Sequence, residues 1–279
     1  MNAYLKNILS MLIFSTIGIF RRYIPLPSSL VAMVRGAIGM VFLLLVMAIA
    51  RKKLDGVSIR KNLPRLCFTG ACLGINWILL FEAYNYTSVA TATLCYYLAP
   101  MFIMLISPIV LKEKLTAKKL ICIGVALVGM VFVSGVLDAG IQSISELKGV
   151  LMGLAAAVFY ACVVLMNKKT PDIPANDRTI VQLGVSSVVL LPYVLLTENF
   201  AEMTFTPGVL GMLVVVGIIH TGLAYALYFG SLKELKAQTA AILSYIDPVG
   251  AILLSALLLK ERMSLLAAIG AVLVLAAPS

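Results

Sequence analysis

The chain has 279 residues, of which 62% are hydrophobic and 12% are charged, and its mean hydropathy is +1.06. Soluble domains carry about 25% charged residues, so this composition excludes an ordinary soluble domain and predicts an integral membrane protein. The formal net charge of +10 predicts basic cytoplasmic loops and no nucleic-acid partner, because membrane proteins concentrate Lys and Arg on the cytoplasmic side.

Charged residues divide the chain into apolar stretches of about 20 residues, the length that crosses a bilayer. The first covers residues 7–20 and ends in Arg21-Arg22, which is unlike a signal-peptide cleavage site. The stretch 66–111 is long enough for two spans and breaks at residues 85–88. The other predicted spans are 23–50, 120–137, 149–167, 179–197, 203–232, 237–259 and 263–277. The sequence therefore predicts an all-α integral membrane protein with ten transmembrane helices.

The distribution of basic residues predicts the orientation. Most of the 22 Lys and Arg residues lie in loops that are cytoplasmic if the N-terminus is cytoplasmic, and the largest group lies between residues 51 and 65. The positive-inside rule therefore predicts a multi-pass protein of the cytoplasmic membrane with both termini in the cytoplasm.

One segment of the sequence occurs twice in similar form. YYLAPMFIMLISPIVLKEKL, which starts at Tyr96, aligns with SYIDPVGAILLSALLLKERM, which starts at Ser244, at a constant offset of 148 residues. Each half then holds five spans, and because five is odd, the second half enters the membrane upside down. The sequence predicts two inverted five-helix repeats, residues 1–137 and 147–279. Inverted repeats are typical of secondary transporters, which bind a solute at the midplane and alternate its access.

The chain resembles the EamA-type carriers of the drug/metabolite transporter superfamily. The resemblance covers nearly the whole chain and is strongest in LFEAYNYTSVATATLCYYLAPMF with LKEKLT, and in YALYFGSLKELKAQTAAILSYIDPV with LKERMS. It implies ten helices, a central cavity and movement of small metabolites, often outward. The family proline falls on Pro100 and Pro248, and its end-of-helix glutamate on Glu113 and Glu261.

The two prolines and the two glutamates receive different interpretations. Pro100 and Pro248 open a backbone carbonyl at the same depth in both halves, which favours a hinge or a site, although lipid tolerates proline in a span. Glu113 and Glu261 each precede a good N-cap residue, so they are predicted to form structural turns and not to bind the solute.

Four charged or titratable side chains lie inside predicted spans, where they need a partner or water. Arg35 and Glu82 fall at similar depth, so they are expected to form a structural clamp or to contact the solute. Asp247 has no counterpart in the first half, where Ala99 stands, and it shares its depth with His220. That pair could relay protons; alternatively, His220 bonds a carbonyl and a hydroxyl caps Asp247.

Deep aromatic residues accompany these charges. Trp77, Tyr97, Tyr160, Tyr225 and Tyr245 are predicted to bind an ammonium-bearing solute through their ring faces and hydroxyls, although helix packing is the alternative. Asn76 is expected to bond either a solute carboxylate or a neighbouring helix. The sites Gly70-x-x-x-Gly74 and Gly149-x-x-x-Gly153 predict close packing within the chain, and a homodimer does not follow from them.

The leading function is therefore a carrier of small metabolites such as amino acids or amines, with export implied by the family resemblance alone. A flippase for lipid-linked sugars is the alternative, but only Arg35 offers a basic residue for phosphate inside the spans. A membrane sensor or enzyme is disfavoured. The five cysteines have no zinc or redox spacing, and the sequence predicts no catalytic residue, no metal site and no cofactor.

Overall fold

The computed structural model describes residues 2–21, 23–87, 89–134, 144–170 and 172–258, with 266, 269, 270, 272 and 273. All regular structure in these residues is helical. The helices are α1 (Ala3–Arg21), α2 (Ser28–Ile49), α3 (Gly56–Ala83), α4 (Val89–Tyr96), α5 (Ala99–Leu111), α6 (Ala117–Ser134), α7 (Ile144–Lys169), α8 (Ala175–Thr197), α9 (Pro207–Gly217), α10 (Ala224–Ser231), α11 (Ala237–Leu243) and α12 (Ile246–Leu258). A short 3-10 helix covers Phe200–Glu202, and a π-helical turn, Ile218–Leu223, joins α9 to α10.

Seven helical stretches of the described chain are long and apolar enough to cross a membrane. They are α1, α2, α3, α7, α8 and the composite stretches Thr91–Leu111 and Pro207–Ser231. The predicted break at residues 85–88 coincides with the turn between α3 and α4. Most of the predicted last span, 263–277, lies outside the described residues, as does Glu261.

Helix α3 begins ten residues before its predicted span, at Gly56. Asp55 explains this start, because its side chain accepts a hydrogen bond from the Ser58 backbone N–H (3.0 Å) and so caps the helix. The stretch 51–65, for which the sequence predicts a polar loop, is therefore partly an extension of α3 beyond the apolar segment.

The two proline motifs interrupt their spans. The Leu98 N–H donates to the Cys95 carbonyl (3.2 Å), and the Tyr245 N–H donates to the Ile242 carbonyl (3.2 Å), so each span tightens for one turn before a new helix starts. Pro100 and Pro248 lie in the first turns of α5 and α12. A proline is tolerated there because a first-turn N–H has no partner within its own helix.

Small residues bring the helices into close contact. A Cβ on Gly70 would lie 2.7 Å from the Val185 side chain of α8, and one on Gly153 would lie 2.9 Å from Cys95 of α4. A Cβ on Gly39 of α2 would lie 2.9 Å from a backbone nitrogen of the π-helical turn. The predicted small-residue faces therefore pack within the chain, in agreement with the sequence.

The long helices pack across the two halves of the sequence. Helix α3 packs against α7 and α8, and α2 packs against α8 and the π-helical turn. Helix α1 packs against α10 and α12, while α7, which follows the sequence midpoint, packs against α4 and α5. The two halves are therefore interleaved in one bundle.

We call the end of the bundle at which α1 begins the proximal end, and the opposite end the distal end. At the proximal end, Lys6 pairs with Glu234 (3.6 Å), and the Asn7 amide donates to the Ser231 hydroxyl (3.0 Å). At the distal end, the Lys148 ammonium lies 3.9 Å from the ring centroid of Tyr86. Helix α7 therefore starts at the end opposite to the start of α1.

The end of α7 is capped by a buried arginine of α8. The Arg178 guanidinium donates to the carbonyls of Asn167 (2.8 Å), Thr170 (2.6 Å) and Ile173 (3.2 Å). These carbonyls lie at or beyond the C-terminal turn of α7, where a helix leaves its acceptors without partners. Arg178 thereby fixes the connection between α7 and α8.

Candidate functional site

A cavity of about 570 Å³ lies between the two halves of the bundle. It is lined by the second half of α1, the first half of α2, the end of α3, the α4–α5 interruption, the middle of α7 and the first turns of α10 and α12. Its charged and aromatic lining includes Phe14, Arg21, Arg35, Trp77, Tyr84, Tyr96, Tyr97, Tyr160, Tyr225 and Asp247. The cavity extends from the middle of the bundle towards the distal end, where Arg21, Ile24 and Ser28 line it.

Most of the predicted aromatic residues meet at this cavity. The Trp77 and Tyr225 rings lie 6.3 Å apart at 66°, and the Tyr96 and Tyr160 rings lie 5.8 Å apart at 57°. Phe14 packs edge-on against Tyr225 at 5.1 Å. Such tilted arrangements present ring faces and edges together, and ring faces bind cations.

Two predicted binding residues lie elsewhere. The Asn76 amide donates to the Ala156 carbonyl of α7 (2.6 Å), so of the two alternatives it bonds the neighbouring helix. Tyr245 is 1% exposed and packs in an apolar cluster with Met104, Ile123 and Met130. It directly precedes α12, and there its ring points towards α5 and α6 and away from the cavity.

The predicted Arg35–Glu82 clamp does not form. The Arg35 guanidinium carbon lies 4.6 Å from the ring centroid of Trp77, whereas Glu82 accepts a hydrogen bond from the Tyr193 hydroxyl of α8. The two residues share a depth but lie on different faces, because Glu82 faces α8 and Arg35 faces the cavity. Depth along a span is readable from sequence, while the facing direction depends on packing.

Asp247 lines the cavity, but its predicted partner His220 does not. The His220 Nε2 lies 2.7 Å from the Thr16 hydroxyl, and the His220 ring packs 4.8 Å from Phe20. His220 belongs to the π-helical turn, which changes the helical register and directs the ring against α1. The structure therefore pairs His220 with α1 and leaves Asp247 at the cavity.

Helix α1 contributes to the cavity in a way that the sequence does not predict. Phe14, Ser15, Gly18 and Arg21 line the cavity. The signal in the sequence that points to α1 is a face of small residues. A Cβ on Gly250 of α12 would lie 2.8 Å from the Ser15 hydroxyl, so the small residues let α1 and α12 pack closely. Among these four residues only Arg21 is charged. The sequence of α1 therefore looks like that of a helix that only packs against other helices.

Hydrogen bonds between the two halves close the proximal end. Glu113, at the end of α5, accepts from the backbone N–H groups of Ala237 (2.9 Å) and Gln238 (3.3 Å), which begin α11. The Gln238 side chain donates to the Ser107 hydroxyl (2.7 Å) and accepts from Lys119. Glu113 is therefore structural, as predicted. We call these four side chains, Ser107, Glu113, Lys119 and Gln238, the proximal seal.

The fold and the cavity define a polytopic helical membrane protein with a charged, aromatic-lined chamber inside its bundle. Comparisons with known proteins agree with this class. The model of the EamA-like transporter family matches residues 1–135 and again residues 147–277. The chain belongs to the EamA-like transporter family.

Relatives from several organisms cover most of the chain. The chain is 32% identical over 277 residues to the uncharacterized transporter YxxF of Bacillus subtilis, covering 98% of this chain and 87% of the relative. It is 25% identical over 228 residues to the protein PecM of Dickeya dadantii, covering 78% and 75%. A solved crystal structure of a protein with 20% identity matches with a TM-score of 0.89 over 99% of this chain and 96% of that chain, which shows a shared fold.

Proposed function

We propose that this protein carries a small amine-bearing metabolite, such as an amino acid, across the cytoplasmic membrane by alternating access. The observation that carries the proposal is a midplane cavity lined by both halves and closed at one end by contacts between the halves. The moving units are the two inverted five-helix repeats, residues 1–137 and 147–279.

Several observations support the inverted repeat. The family model matches the chain twice, α1 and α7 start at opposite ends, and their packing partners are equivalent. Helix α1 packs against α10 and α12, and α7 packs against α3 and α5, which the offset of 148 residues relates to α10 and α12. The two interruptions, at Pro100 and Pro248, fall at matching positions, where they can serve as hinges.

The open and closed ends support a direction of access. The cavity reaches the distal end, which the positive-inside rule places outside, while the proximal seal closes the cytoplasmic end. We assign this structure to an outward-facing state. Opening of the proximal seal with closure of the distal end would present the same cavity to the cytoplasm. Export as the net direction rests on the family resemblance.

The cavity chemistry supports a solute that carries an ammonium group. Asp247 supplies a carboxylate to the same cavity that the rings of Tyr97 and Tyr225 line, and an ammonium is attracted to both kinds of group. A volume of about 570 Å³ is in the range of small-molecule sites and leaves room for a small metabolite with water.

Counterflow in liposomes tests this function. The purified protein is reconstituted, loaded with an unlabelled amino acid or amine, and assayed for uptake of the labelled compound. Counterflow by at least one compound is expected, and Trp77→Ala should weaken its apparent affinity about tenfold or more, because the Trp77 ring lines the cavity and packs against the Arg35 guanidinium. Phe68→Ala is the matched control, since Phe68 lies on the same helix and is 53% exposed away from the cavity.

The same liposomes distinguish the flippase alternative. Scrambling of a labelled lipid without solute counterflow would replace the metabolite carrier by a lipid flippase. The absence of both activities, with a protein that remains folded by its thermal transition, would contradict transport of either kind.

A further inference from the structure

The cavity holds a half-buried cation, Arg35, for which the described residues show no acidic partner. Arg35 faces the cavity over Trp77, and its Nε is buried without a hydrogen-bond acceptor. Among the described residues the single ion pair is Lys6–Glu234, at the proximal end. An arginine at the centre of a span costs about 2.5–3.5 kcal/mol, so Arg35 needs an anion or water in the cavity.

The same cavity holds an anion from the other half of the chain. Asp247 lies in the first turn of α12, and no ion pair joins it to a described residue. The positive end of the α12 dipole offsets only part of the cost of a carboxylate, because a helix terminus contributes about 0.3–1 kcal/mol. Asp247 therefore also needs water or a cation that the described side chains do not supply.

Arg35 and Asp247 do not neutralise each other. Their charged atoms are more than 4.0 Å apart, since no ion pair joins them, yet both groups act electrostatically on the hydroxyls of Tyr96 and Tyr225. The two charges therefore line the same tyrosine-lined cavity without forming an ion pair. A solute with one charge of each sign can satisfy both at the same time.

We propose that Arg35 and Asp247 determine specificity together and that the solute is a zwitterion. Its carboxylate binds the Arg35 guanidinium, whose planar fork suits a carboxylate, and its ammonium binds Asp247. This inference rests on the proposed carrier function and names its substrate class. The aromatic and aliphatic lining, with Phe14, Trp77 and Val31, then accommodates the rest of the solute.

The arrangement disfavours solutes that carry only one of the two charges. An amine leaves Arg35 without an anion, and an acid leaves Asp247 without a cation. Loss of one hydrogen bond to a charged group reduces the binding affinity about 10- to 100-fold. A zwitterion also bridges α2 of the first half and α12 of the second, so its binding would draw the halves together.

A matched set of solutes tests the proposal with the full-length protein. Phenylalanine, phenethylamine and 3-phenylpropionate share one ring, and leucine, isoamylamine and 4-methylpentanoate share one aliphatic chain. Binding is measured as the shift of the thermal transition, and transport as inhibition of counterflow. We expect at least one zwitterion to bind about 10- to 100-fold more tightly than its amine and its acid.

Two substitutions assign the charges. Arg35→Gln should remove the preference for the zwitterion over the amine, and Asp247→Asn should remove the preference for the zwitterion over the acid. The exposed residues Arg60 and Asp172 provide the controls Arg60→Gln and Asp172→Asn, which should leave both preferences unchanged. The wild-type series remains decisive even if a variant fails to fold.

The outcomes separate this inference from the carrier function. Counterflow of amines or acids as efficient as that of the matched zwitterions would overturn the zwitterion proposal and leave a metabolite carrier. Retention of both preferences in Arg35→Gln and Asp247→Asn would overturn the assignment of the residues. The absence of binding and counterflow for every compound would overturn both proposals.

Discussion

The proximal seal makes a quantitative prediction about the equilibrium between the two access states. Glu113→Ala removes the acceptor of two backbone N–H groups at the start of α11, at 2.9 and 3.3 Å. Hydrogen bonds to a charged group contribute about 1.5–3 kcal/mol, and loss of a helix cap costs about 1 kcal/mol. Because Glu113 is half-exposed, we expect the seal to lose about 1–2 kcal/mol, which changes the closed-to-open ratio about 5- to 30-fold.

Cysteine reactivity measures this change. In a variant that lacks the five native cysteines, Ala240→Cys places a thiol in α11 at a position that is fully buried in the sealed state. Glu113→Ala should raise its alkylation rate about 5- to 30-fold. The control Glu234→Ala removes an exposed ion pair with Lys6 and should raise the rate less than about fivefold.

A second thiol separates opening of the seal from general loosening of the fold. Ala157→Cys lies buried in the middle of α7, and Ala157 is not one of the residues of the proximal seal. Its reactivity should stay constant in Glu113→Ala. If Ala157→Cys became as reactive as Ala240→Cys, or if Glu113→Ala had no larger effect than Glu234→Ala, Glu113 would not hold the proximal end closed.

Three further predictions concern packing, capping and topology. Gly39→Leu should lower the temperature of the thermal transition, because overpacking against the π-helical turn costs about 1–3 kcal/mol. The control is Gly211→Ala, whose Cβ would have no neighbour within 4 Å, and it should leave that temperature unchanged or raise it. Arg178→Met should destabilise the protein by about 2 kcal/mol or more. Arg178→Lys should restore only part of this stability, because an ammonium cannot reproduce the guanidinium fork. Equal thermal transitions for the two variants would refute a role for the guanidinium geometry. Cysteines placed at Lys114 and Lys148 should react with an impermeant reagent from opposite membrane faces, and labelling from a single face would refute the inverted repeat.

The chemical character of the cavity could be predicted from the sequence, but the complete set of residues that line it could not. The sequence predicts deep polar or aromatic site residues, and the structure places six of them at the cavity: Arg35, Trp77, Tyr97, Tyr160, Tyr225 and Asp247. His220 and Tyr245 satisfied the same criterion and yet lie against α1 and α6. Depth follows from position along a span, whereas the face that a residue presents depends on local helical register.

The sequence by itself determined that the chain is a helical membrane protein, the approximate positions of the seven spans that the described residues show, and that a proline motif recurs at a fixed offset. These features follow from local properties, since an apolar run of fixed length must become a helix in lipid to satisfy its own backbone. The tertiary structure alone decided that Glu82 bonds Tyr193 and not Arg35, that Glu113 seals one end, and that α1 lines the cavity. Such contacts join residues more than 100 positions apart, and the rotation of each helix about its axis is fixed only when all its neighbours are in place.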